Sequence, residues 1–393
     1  MRSATTPTDA AVNPDRLLGT FIDLLRLDSP SGQEGPVREY LLDWFARHQI
    51  TAQADAHGNV IATLPARHST APPVVVTGHM DVVPPCSGVE PMVTGQNGDR
   101  VIRSNGQTVL GADDKSALAG LLEAIRVSDE QQTARPEVKL LITVGEEVGL
   151  QGAYAMDPSH YADCVFGVAF DHTGEQGLIV HEAPTLVEFA LTVTGKSVHA
   201  GICPEHGVNA ITHLLAVVND VPTGRVDLDG MSGTFNWGWV EGGKGTNVVP
   251  DQAVARGEFR SLEPQMIDRF KVRLEAAIAR HVVAPASATL TFDTQFEHYR
   301  TDPEHPYVQA VADTFLALGC TPNIRASHGG SDLNVFANRG LPGVVLSAGY
   351  HDPHALSEHV YLKDMVTMVA VLLGFWQAWA GLTELTGLAG ASR

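Results

Sequence analysis

Short apolar runs alternate with stretches of helical periodicity along the first 183 residues of the chain. The runs are rich in β-branched residues and too short for helices, so we predict buried strands at residues 74–77, 138–144 and 165–170. The periodic stretches predict helices at residues 14–27, 36–48 and 114–128. Strands that alternate with helices predict an α/β sheet, and ligands bind such sheets beyond the carboxyl ends of the strands.

A different order of elements begins near residue 184. The pattern there predicts strand, helix, strand, strand, helix and strand, which is the β-α-β-β-α-β order of a ferredoxin-like unit. These predicted elements cover residues 185–194, 208–219, 234–240, 246–260, 265–279 and 288–295. The earlier α/β pattern then returns, with a helix at residues 308–317, a strand at 344–347 and a long helix at 362–380.

The change of pattern and its return predict an inserted domain. We expect an α/β fold in which residues 1–183 and 298–393 build a mixed sheet flanked by helices. Residues 184–297 are expected to form the inserted ferredoxin-like domain, which is long enough to fold as a unit. The two outer segments must fold together, because candidate ligand residues occur in both.

Carboxylate and imidazole side chains are concentrated in five short runs, three of which directly follow predicted strands. Two divalent ions that lie close together need several imidazoles and carboxylates, with at least one carboxylate that bridges them. The runs therefore indicate a hydrolase with two metal ions. They are His79-Met80-Asp81, Gly111-Ala112-Asp113-Asp114-Lys115, Gly145-Glu146-Glu147, Phe170-Asp171-His172 and His354-Ala355-Leu356-Ser357-Glu358.

The residue types in these runs suggest separate roles. Asp113 is the candidate for the bridging carboxylate. Asp81 lies two residues beyond His79, and we interpret it as the residue that orients this imidazole, not as a ligand. Hydrolysis also needs a carboxylate that does not bind metal and can move a proton. Glu146 and Glu147 can divide these tasks, one as the base and the other as a ligand.

Simpler explanations exist for some of these residues. Asp171 has the position of an ordinary turn residue after a strand. Asp114 can be an acidic residue that interacts favourably with the dipole of the following helix. His351 and His359 compete with His354 as the ligand from the last loop. From the residues alone, these alternatives stay open.

Composition restricts the partners and the compartment. The chain has 393 residues, of which 44% are hydrophobic, and a formal net charge of −19. This charge argues against a nucleic-acid partner and against an anionic membrane surface, because both require clustered Lys and Arg. The four cysteines are scattered without C-x-x-C spacing, and the first 13 residues lack the pattern of a secretory signal. We therefore expect reduced thiols in a cytoplasmic protein.

Eight segments together resemble the M20 family of metallopeptidases, and most closely its peptidase T-like branch. The similarity extends from about residue 15 to residue 380. It implies a zinc-exopeptidase-like fold with a mixed sheet, over which the inserted domain acts as a lid. The segments are residues 77–84, 110–115, 143–150, 199–201, 246–247, 260–262, 329–332 and 354–358.

The resemblance implies a role for each matching residue of the outer segments. Glu146 would be the general base and later the acid, and Asp81 would steady His79. Relatives tend to have a cis peptide bond after the bridging aspartate, which here joins Asp113 to Asp114. One metal ion would bind His79, Asp113 and Asp171, and the other Asp113, Glu147 and His354.

The resemblance also implies roles for the inserted domain and the loop near residue 330. His199 and Asn247 would stabilise the oxyanion, and Arg260 would bind a substrate carboxylate. Gly330 would lie in a loop that borders the substrate. His199 commonly reaches into the partner subunit in relatives, so a homodimer formed through the lid domain is implied.

The expected activity is hydrolysis of short peptides with release of the N-terminal residue. The expected cofactors are two divalent ions, with zinc favoured and cobalt or manganese as alternatives, since the implied ligands are oxygen and nitrogen atoms. Other M20 activities stay open, namely those of acyl-amino-acid amidases, dipeptidases and carboxypeptidases. A non-catalytic relative is a third hypothesis, which the presence of Glu146 and Asp113 disfavours.

Overall fold

The structure is a computed structural model that describes residues 12–96, 100–228 and 230–381. The chain divides into two compact units. Of the described residues, unit 1 comprises those within Met1–Glu182, Arg300–Ala326 and Ser331–Arg393, and unit 2 comprises those within Ala183–Tyr299 and Ser327–Gly330. The loop Ser327–Gly330 thus belongs to unit 2, although its place in the sequence put it in the second outer segment.

Helices and strands alternate through most of the described residues. The helices are α1 (Pro14–Leu25), α2 (Gly35–Arg47), α3 (Ala112–Gln131), α4 (Gln151–Ala155), α5 (Ala210–Asp220), α6 (Pro264–His281), α7 (Pro306–Ala317), α8 (Asp332–Asn338) and α9 (Leu362–Ala380). The strands up to residue 183 are β1 (Thr51–Ala54), β2 (Val60–Leu64), β3 (Val74–His79), β4 (Met92–Thr94), β5 (Val101–Arg103), β6 (Val138–Thr143), β7 (Gly167–His172) and β8 (Leu178–Ala183). The later strands are β9 (Thr185–Thr194), β10 (Gly224–Leu228), β11 (Met231–Gly242), β12 (Gln252–Ser261), β13 (Ser287–Phe296), β14 (Tyr299–Arg300), β15 (Asn323–Ala326), β16 (Gly343–Ser347), β17 (Tyr350–His351) and β18 (His359–Tyr361).

Unit 1 is built on a large mixed sheet, which confirms the predicted α/β class. Its strand order is β1-β2-β6-β3-β7-β16-β8-β14, and β15 pairs with β8. The central strands β6, β3, β7 and β16 run parallel, so their carboxyl ends meet at one edge of the sheet. A second, four-stranded sheet has the order β17-β18-β5-β4.

Helices cover the large sheet and exclude water from it. Helix α3 packs against α1 and α9, and α7 packs against α9. The strands contribute apolar residues to both faces, as shown by β3, which is buried at every position. Trp376 and Trp379 of α9 are completely buried in this core. Burial of each large apolar side chain contributes about 1.5–3 kcal/mol, so the core supports the sheet edge where polar groups collect.

Unit 2 has a five-stranded antiparallel sheet with the order β10-β11-β12-β9-β13. Helices α5 and α6 pack on this sheet and share its apolar core. The predicted β-α-β-β-α-β succession is present as β9, α5, β11, β12, α6 and β13. Strand β10 is an additional edge strand that the sequence pattern did not predict.

The continuous strand expected at residues 246–260 is wrong at its start, because β12 begins at Gln252. Gly243 has a positive φ of 81°, and Pro250 lacks the N–H group that a sheet ladder requires. The chain therefore turns between β11 and β12, which places Asn247 in a turn and Arg260 in the strand.

A helix that crosses a membrane needs about 20 consecutive, mostly apolar residues. Among residues 12–96, 100–228 and 230–381, every helix is too short or too polar to cross a bilayer.

Candidate metal centre

The carboxyl ends of neighbouring parallel strands bring the first candidate residues together. His79 is the last residue of β3 and is the cross-strand partner of Thr143, the last residue of β6. Asp171 is near the end of β7, which pairs with the other side of β3. The Glu146–Glu147 turn follows β6, so three of the predicted runs lie at this edge.

Two further residues reach the same edge from other elements. Asp113 lies at the start of α3, where its backbone and that of Asp114 are not helical. The Asp113–Asp114 peptide bond is cis, as the resemblance implies. His354 lies in the loop between β17 and β18 and has a positive φ of 62°. His351 and His359, its competitors from the sequence, stack on each other with ring centroids 5.1 Å apart.

The first group of possible metal ligands consists of His79, Asp113 and Asp171. Nε2 of His79 lies 3.3 Å from Oδ1 of Asp113 and 3.7 Å from Oδ1 of Asp171. One donor atom from each of the three residues lies within 4.8 Å of the other two. His79 is 1% exposed, so the group is shielded from water.

The second group consists of Asp113, Glu147 and His354, whose donor atoms also lie within 4.8 Å of one another. Nε2 of His354 lies 2.9 Å from Oε1 of Glu147 and 3.5 Å from Oδ2 of Asp113. The two oxygens of Asp113 thus face different histidines, Oδ1 towards His79 and Oδ2 towards His354. This is the arrangement that a bridging carboxylate requires.

Glu146 lies next to both groups. His79, Glu146 and Glu147 form a third set whose donor atoms are within 4.8 Å of one another. The carboxyl group of Glu146 is therefore close to the first imidazole as well as to Glu147. Among the described residues, the site offers a carboxylate beyond the two groups that share Asp113.

The pKa values show that this cluster favours a positive charge. Burial alone would lower the pKa of His79, but Asp113, Asp171 and Asp81 raise it well above its ordinary value. Hydrogen bonds to Asp113 and Glu147 raise the pKa of His354 to about 10. Burial raises the pKa of Asp171 to about 6, although His79 opposes this shift.

The donor set fits divalent metal ions. It consists of imidazole nitrogens and carboxylate oxygens, which suit zinc, cobalt or manganese. Several buried carboxylates repel one another in this space, and burial raises the pKa of Glu146 well above its ordinary value. Cations bound between these carboxylates would offset their mutual repulsion.

Asp81 makes contacts that the sequence did not predict. Its carboxylate accepts hydrogen bonds from the backbone N–H of Glu146 at 3.0 Å and of Glu147 at 3.2 Å. The hydroxyl of Ser31 donates to the same carboxylate at 2.7 Å. Nδ1 of His79 lies 3.0 Å from the backbone carbonyl of Asp81 and 3.4 Å from its Oδ1. Asp81 therefore links the imidazole to the glutamate turn.

Two other buried carboxylates position Asp113 and His79. Glu358 accepts hydrogen bonds from the N–H groups of Gly111 at 2.8 Å and Asp113 at 3.0 Å. Asp114 accepts the N–H of His79 at 3.2 Å. Asp114 is therefore more than an acidic residue at a helix start, because it fixes the backbone of a candidate ligand.

Asp332 is a further buried carboxyl group near the site. The hydroxyl of Thr143 donates to its Oδ2, whereas its Oδ1 is buried without a partner among the described residues. Burial raises the pKa of Asp332 to about 7, and the charges of Asp171 and Asp81 contribute to the shift. Asp332 belongs to one of the eight family segments, but its residue type alone gave no signal of this position.

Two of the candidate residues of unit 2, His199 and Asn247, lie on neighbouring segments. Ala200 donates its backbone N–H to the carbonyl of Asn247 at 2.9 Å. His199 and Val248 form an isolated bridge, so the two segments that carry His199 and Asn247 lie side by side. The backbone N–H of Gly201 donates to Nδ1 of His199 at 3.1 Å, which leaves Nε2 as the donor of a neutral imidazole.

Arg260 and Gly330 also belong to unit 2. The guanidinium of Arg260 binds both oxygens of Glu258 and donates to the carbonyl of His328 at 3.2 Å. Gly330 lies against the ring of Phe296, so closely that a Cβ atom would be 2.2 Å from the ring. Glu258 was not recognised in the sequence, where it is one of many strand carboxylates.

A mixed α/β sheet with imidazoles and carboxylates at its carboxyl edge defines a metal-dependent hydrolase. Comparison with known proteins identifies the family: the model of peptidase family M20/M25/M40 matches residues 75–378, and the chain belongs to this family. The resemblance inferred from the sequence is thus confirmed, and the protein is a peptide hydrolase.

Similar proteins cover almost the whole chain. The crystal structure of aminopeptidase PepT from Bacillus cereus ATCC 10987 is similar with a TM-score of 0.83 and 31% identity, over 94% of this chain and 100% of that one. A tripeptidase from Staphylococcus aureus subsp. aureus Mu50 has a TM-score of 0.86 and 30% identity, over 94% and 99%. The uncharacterised protein YqjE of Bacillus subtilis strain 168 is 33% identical over 364 residues, which are 90% of this chain and 96% of YqjE.

Proposed function

We propose that the protein is a di-metal aminopeptidase that releases the N-terminal residue of short peptides such as tripeptides. The observation that carries the proposal is the pair of ligand groups that share Asp113, with Glu146 beside them. The similar proteins support the choice of substrate, because one is an aminopeptidase and another is a tripeptidase.

The two ligand groups would bind two divalent ions, for which zinc is the first choice and cobalt or manganese are alternatives. One ion would bind His79, Asp113 and Asp171, and the other Asp113, Glu147 and His354. When bound, such ions supply Lewis acidity to the scissile carbonyl and to the attacking water.

Glu146 is the residue that moves the proton in this proposal. Its carboxylate accepts a proton from the attacking water and then donates it to the nitrogen of the leaving amine. Asp81 positions Glu146 by accepting its backbone N–H.

The roles of the unit 2 residues stay predictions. Nε2–H of His199 and the side chain of Asn247 are the proposed donors to the oxyanion. Arg260 and the loop containing Gly330 are proposed to contact the C-terminal part of the substrate. A homodimer formed through unit 2 is also proposed. A cytoplasmic location is proposed as well, and it is supported by the four cysteines, which all lie in the described residues and form no disulfide there.

Hydrolysis of a peptide panel, measured with and without a chelator, tests the proposal. The panel should contain tripeptides, their N-acetylated forms and acyl-amino acids, so that the need for a free amino group is measured directly. An aminopeptidase hydrolyses the free tripeptides and loses this activity in chelator. Hydrolysis of acyl-amino acids alone would instead assign another activity of the family.

Glu146→Gln tests the catalytic residue. The substitution keeps the size of the side chain but removes its ability to accept a proton, so kcat should fall by about 10²–10⁴-fold. Metal content should stay at two equivalents, whereas the control Glu147→Gln should lower it. A rate near that of the wild type in Glu146→Gln would exclude the role of Glu146.

A further inference from the structure

The charge of Arg260 is already paired within unit 2. Its Nε donates to Oε1 of Glu258 at 2.8 Å, and its Nη2 donates to Oε2 at 3.0 Å. The two side chains are 27% and 32% exposed, so the ion pair is only partly screened by water. Both residues lie on β12 two positions apart, and therefore on the same face of the sheet.

This geometry occupies one of the paired sets of donors with which a guanidinium binds a carboxylate. A guanidinium has five N–H bonds and binds a carboxylate best through two parallel ones. Glu258 takes one such pair, and the carbonyl of His328 takes an N–H of Nη1 at 3.2 Å. Two N–H bonds are left, on Nη1 and Nη2, and their positive charge is compensated by Glu258.

The neighbouring strands add negative charge on the same face. Glu258 is the cross-strand partner of Glu188 on β9, and Glu188 is the partner of Asp293 on β13. Like charges in directly opposite positions destabilise a sheet, so a second carboxylate near Arg260 meets repulsion as well as attraction. Gln295 donates to Asp293 at 3.0 Å without adding a charge. Arg256, two positions before Glu258 on β12, adds a positive charge on this face and lies over the ring of Trp239.

We propose that Glu258 determines specificity, because its ion pair with Arg260 weakens the binding of a peptide's C-terminal carboxylate and makes a free carboxylate unnecessary. The inference rests on the proposed function, in which Arg260 contacts the C-terminal part of the substrate. The substrate class is then peptides with either a free or an amidated C-terminus. An enzyme that required a free carboxylate, such as a carboxypeptidase, would need an arginine whose charge is not compensated by a neighbouring carboxylate.

The test compares a tripeptide with its C-terminal amide. For the wild type, kcat/KM for the acid and the amide should agree within about threefold. Glu258→Gln removes the competing charge, so the acid-to-amide ratio should rise about fivefold through a lower KM for the acid. Glu258→Asp keeps the charge and should leave the ratio closer to that of the wild type than Glu258→Gln does. If the glutamine variant does not fold, Glu258→Ala is the second variant that removes the charge, and its ratio should rise in the same direction.

Glu188→Gln is the matched control. It removes the same charge from the opposite position on β9 without removing a partner of Arg260. An unchanged ratio in this variant, together with a raised ratio in Glu258→Gln, supports the ion pair as the cause. An equal rise in both variants would overturn the inference in favour of a general charge effect.

Arg260→Lys separates the inference from the proposed function. If this variant changes the acid-to-amide ratio and Glu258→Gln does not, Arg260 contacts the substrate but the inference about Glu258 is wrong. A wild-type preference for the acid of more than about tenfold also contradicts it. If the wild-type enzyme hydrolyses no peptide of the panel, the proposed function itself fails, and the inference fails with it.

Discussion

At the scale of single residues, Asp81 connects the parts of the site. It accepts the N–H groups of Glu146 and Glu147, and its backbone carbonyl faces His79. One buried residue therefore positions the proposed base Glu146, the proposed ligands His79 and Glu147, and the turn between β6 and α4. A carboxylate is suited to this task because its two oxygens offer about four acceptor positions.

Asp81→Asn should disturb this arrangement without changing the size of the side chain. The amide has one acceptor oxygen, and its NH₂ group would oppose the N–H of Glu146 or Glu147. We expect kcat or metal affinity to fall about 10–100-fold and the free energy of unfolding to fall by about 1–3 kcal/mol. Steady-state kinetics, metal analysis and urea unfolding measure these changes.

Ser31→Ala is the control for this prediction. It removes one hydroxyl donor from Asp81 but leaves both backbone donors in place. The expected loss is about 1 kcal/mol of stability, with turnover close to that of the wild type. If Ser31→Ala and Asp81→Asn had equal effects on turnover, the contacts of Asp81 with the glutamate turn would not explain its role.

The sequence predicted the candidate site residues better than it predicted the residues that hold them in place. His79, Glu146 and Asp171 each follow an apolar strand, so strand prediction alone brings them to one edge of a sheet. Ser31, which donates to Asp81, lies 50 residues before it in the sequence. Asp332, which accepts from Thr143, lies 189 residues after it. No local spacing signals such contacts, because folding alone brings these segments together.

Asp332 should make the metal-free protein sensitive to pH. Burial raises its pKa to about 7 from an ordinary value of 3.8, so the folded state binds this proton more tightly than the unfolded chain does. The resulting stability is fully present below about pH 4 and is lost as the pH rises through about 7. The side chain of Asp332→Asn cannot ionise. Between pH 4 and pH 8, the free energy of unfolding should therefore fall by about 2–4 kcal/mol less in this variant than in the wild type.

Urea unfolding at several pH values in the presence of chelator measures this difference. Asp313→Asn, which changes an exposed carboxylate of α7, is the control and should behave as the wild type. The same pH dependence in Asp332→Asn and in the wild type would contradict the prediction.

At the scale of elements, β3 and the start of α3 approach so closely that a glycine is required between them. A Cβ atom at Gly78 would lie 2.5 Å from Oδ2 of Asp114, which is the atom that accepts the N–H of His79. Gly78→Ala should therefore displace the Asp114 carboxylate, lower the stability by about 1–3 kcal/mol and weaken metal binding. Urea unfolding and metal analysis are the measurements.

Gly19→Ala is the matched control, since Gly19 lies on α1 and a Cβ atom added there would have no neighbouring atom within 4 Å. Removing a glycine from a helix should raise the stability by about 0.5–1 kcal/mol. Gly78→Ala with unchanged stability and unchanged metal content would show that α3 can move away from β3 without cost.

The observed ends of helices and strands agree with the predicted ones where the sequence contains a single strong pattern. Helix α9 was predicted at residues 362–380 and has these limits, because buried apolar residues recur on every turn from Leu362 to Ala380. The strand expected at residues 246–260 was wrong at its start, since β-branched residues there suggested a strand although Pro250 excludes regular pairing. Strand β10 was missed because the alternation of Val226 and Leu228 with Arg225 and Asp227 is short, extending over only four of its five residues.

At the scale of the whole molecule, stability and activity should depend on the same metal ions. Asp113, Asp171 and Glu147 bring negative charges together at the sheet edge, and these charges repel one another when no cation lies between them. Dialysis against a chelator should therefore abolish hydrolysis and lower the melting temperature, and zinc, cobalt or manganese should restore both. At an ion concentration 1,000 times Kd, one bound ion adds about 4 kcal/mol.

The metal stoichiometry tests the two-group arrangement directly. The wild type should bind two equivalents, and His354→Gln should retain about one, because it removes a donor from the group with Glu147 and leaves His79, Asp113 and Asp171 intact. Metal analysis after dialysis, combined with thermal unfolding, measures both quantities. If His354→Gln still bound two equivalents of metal, another residue would be the ligand from the loop between β17 and β18. Full activity without metal would refute the two-ion site altogether.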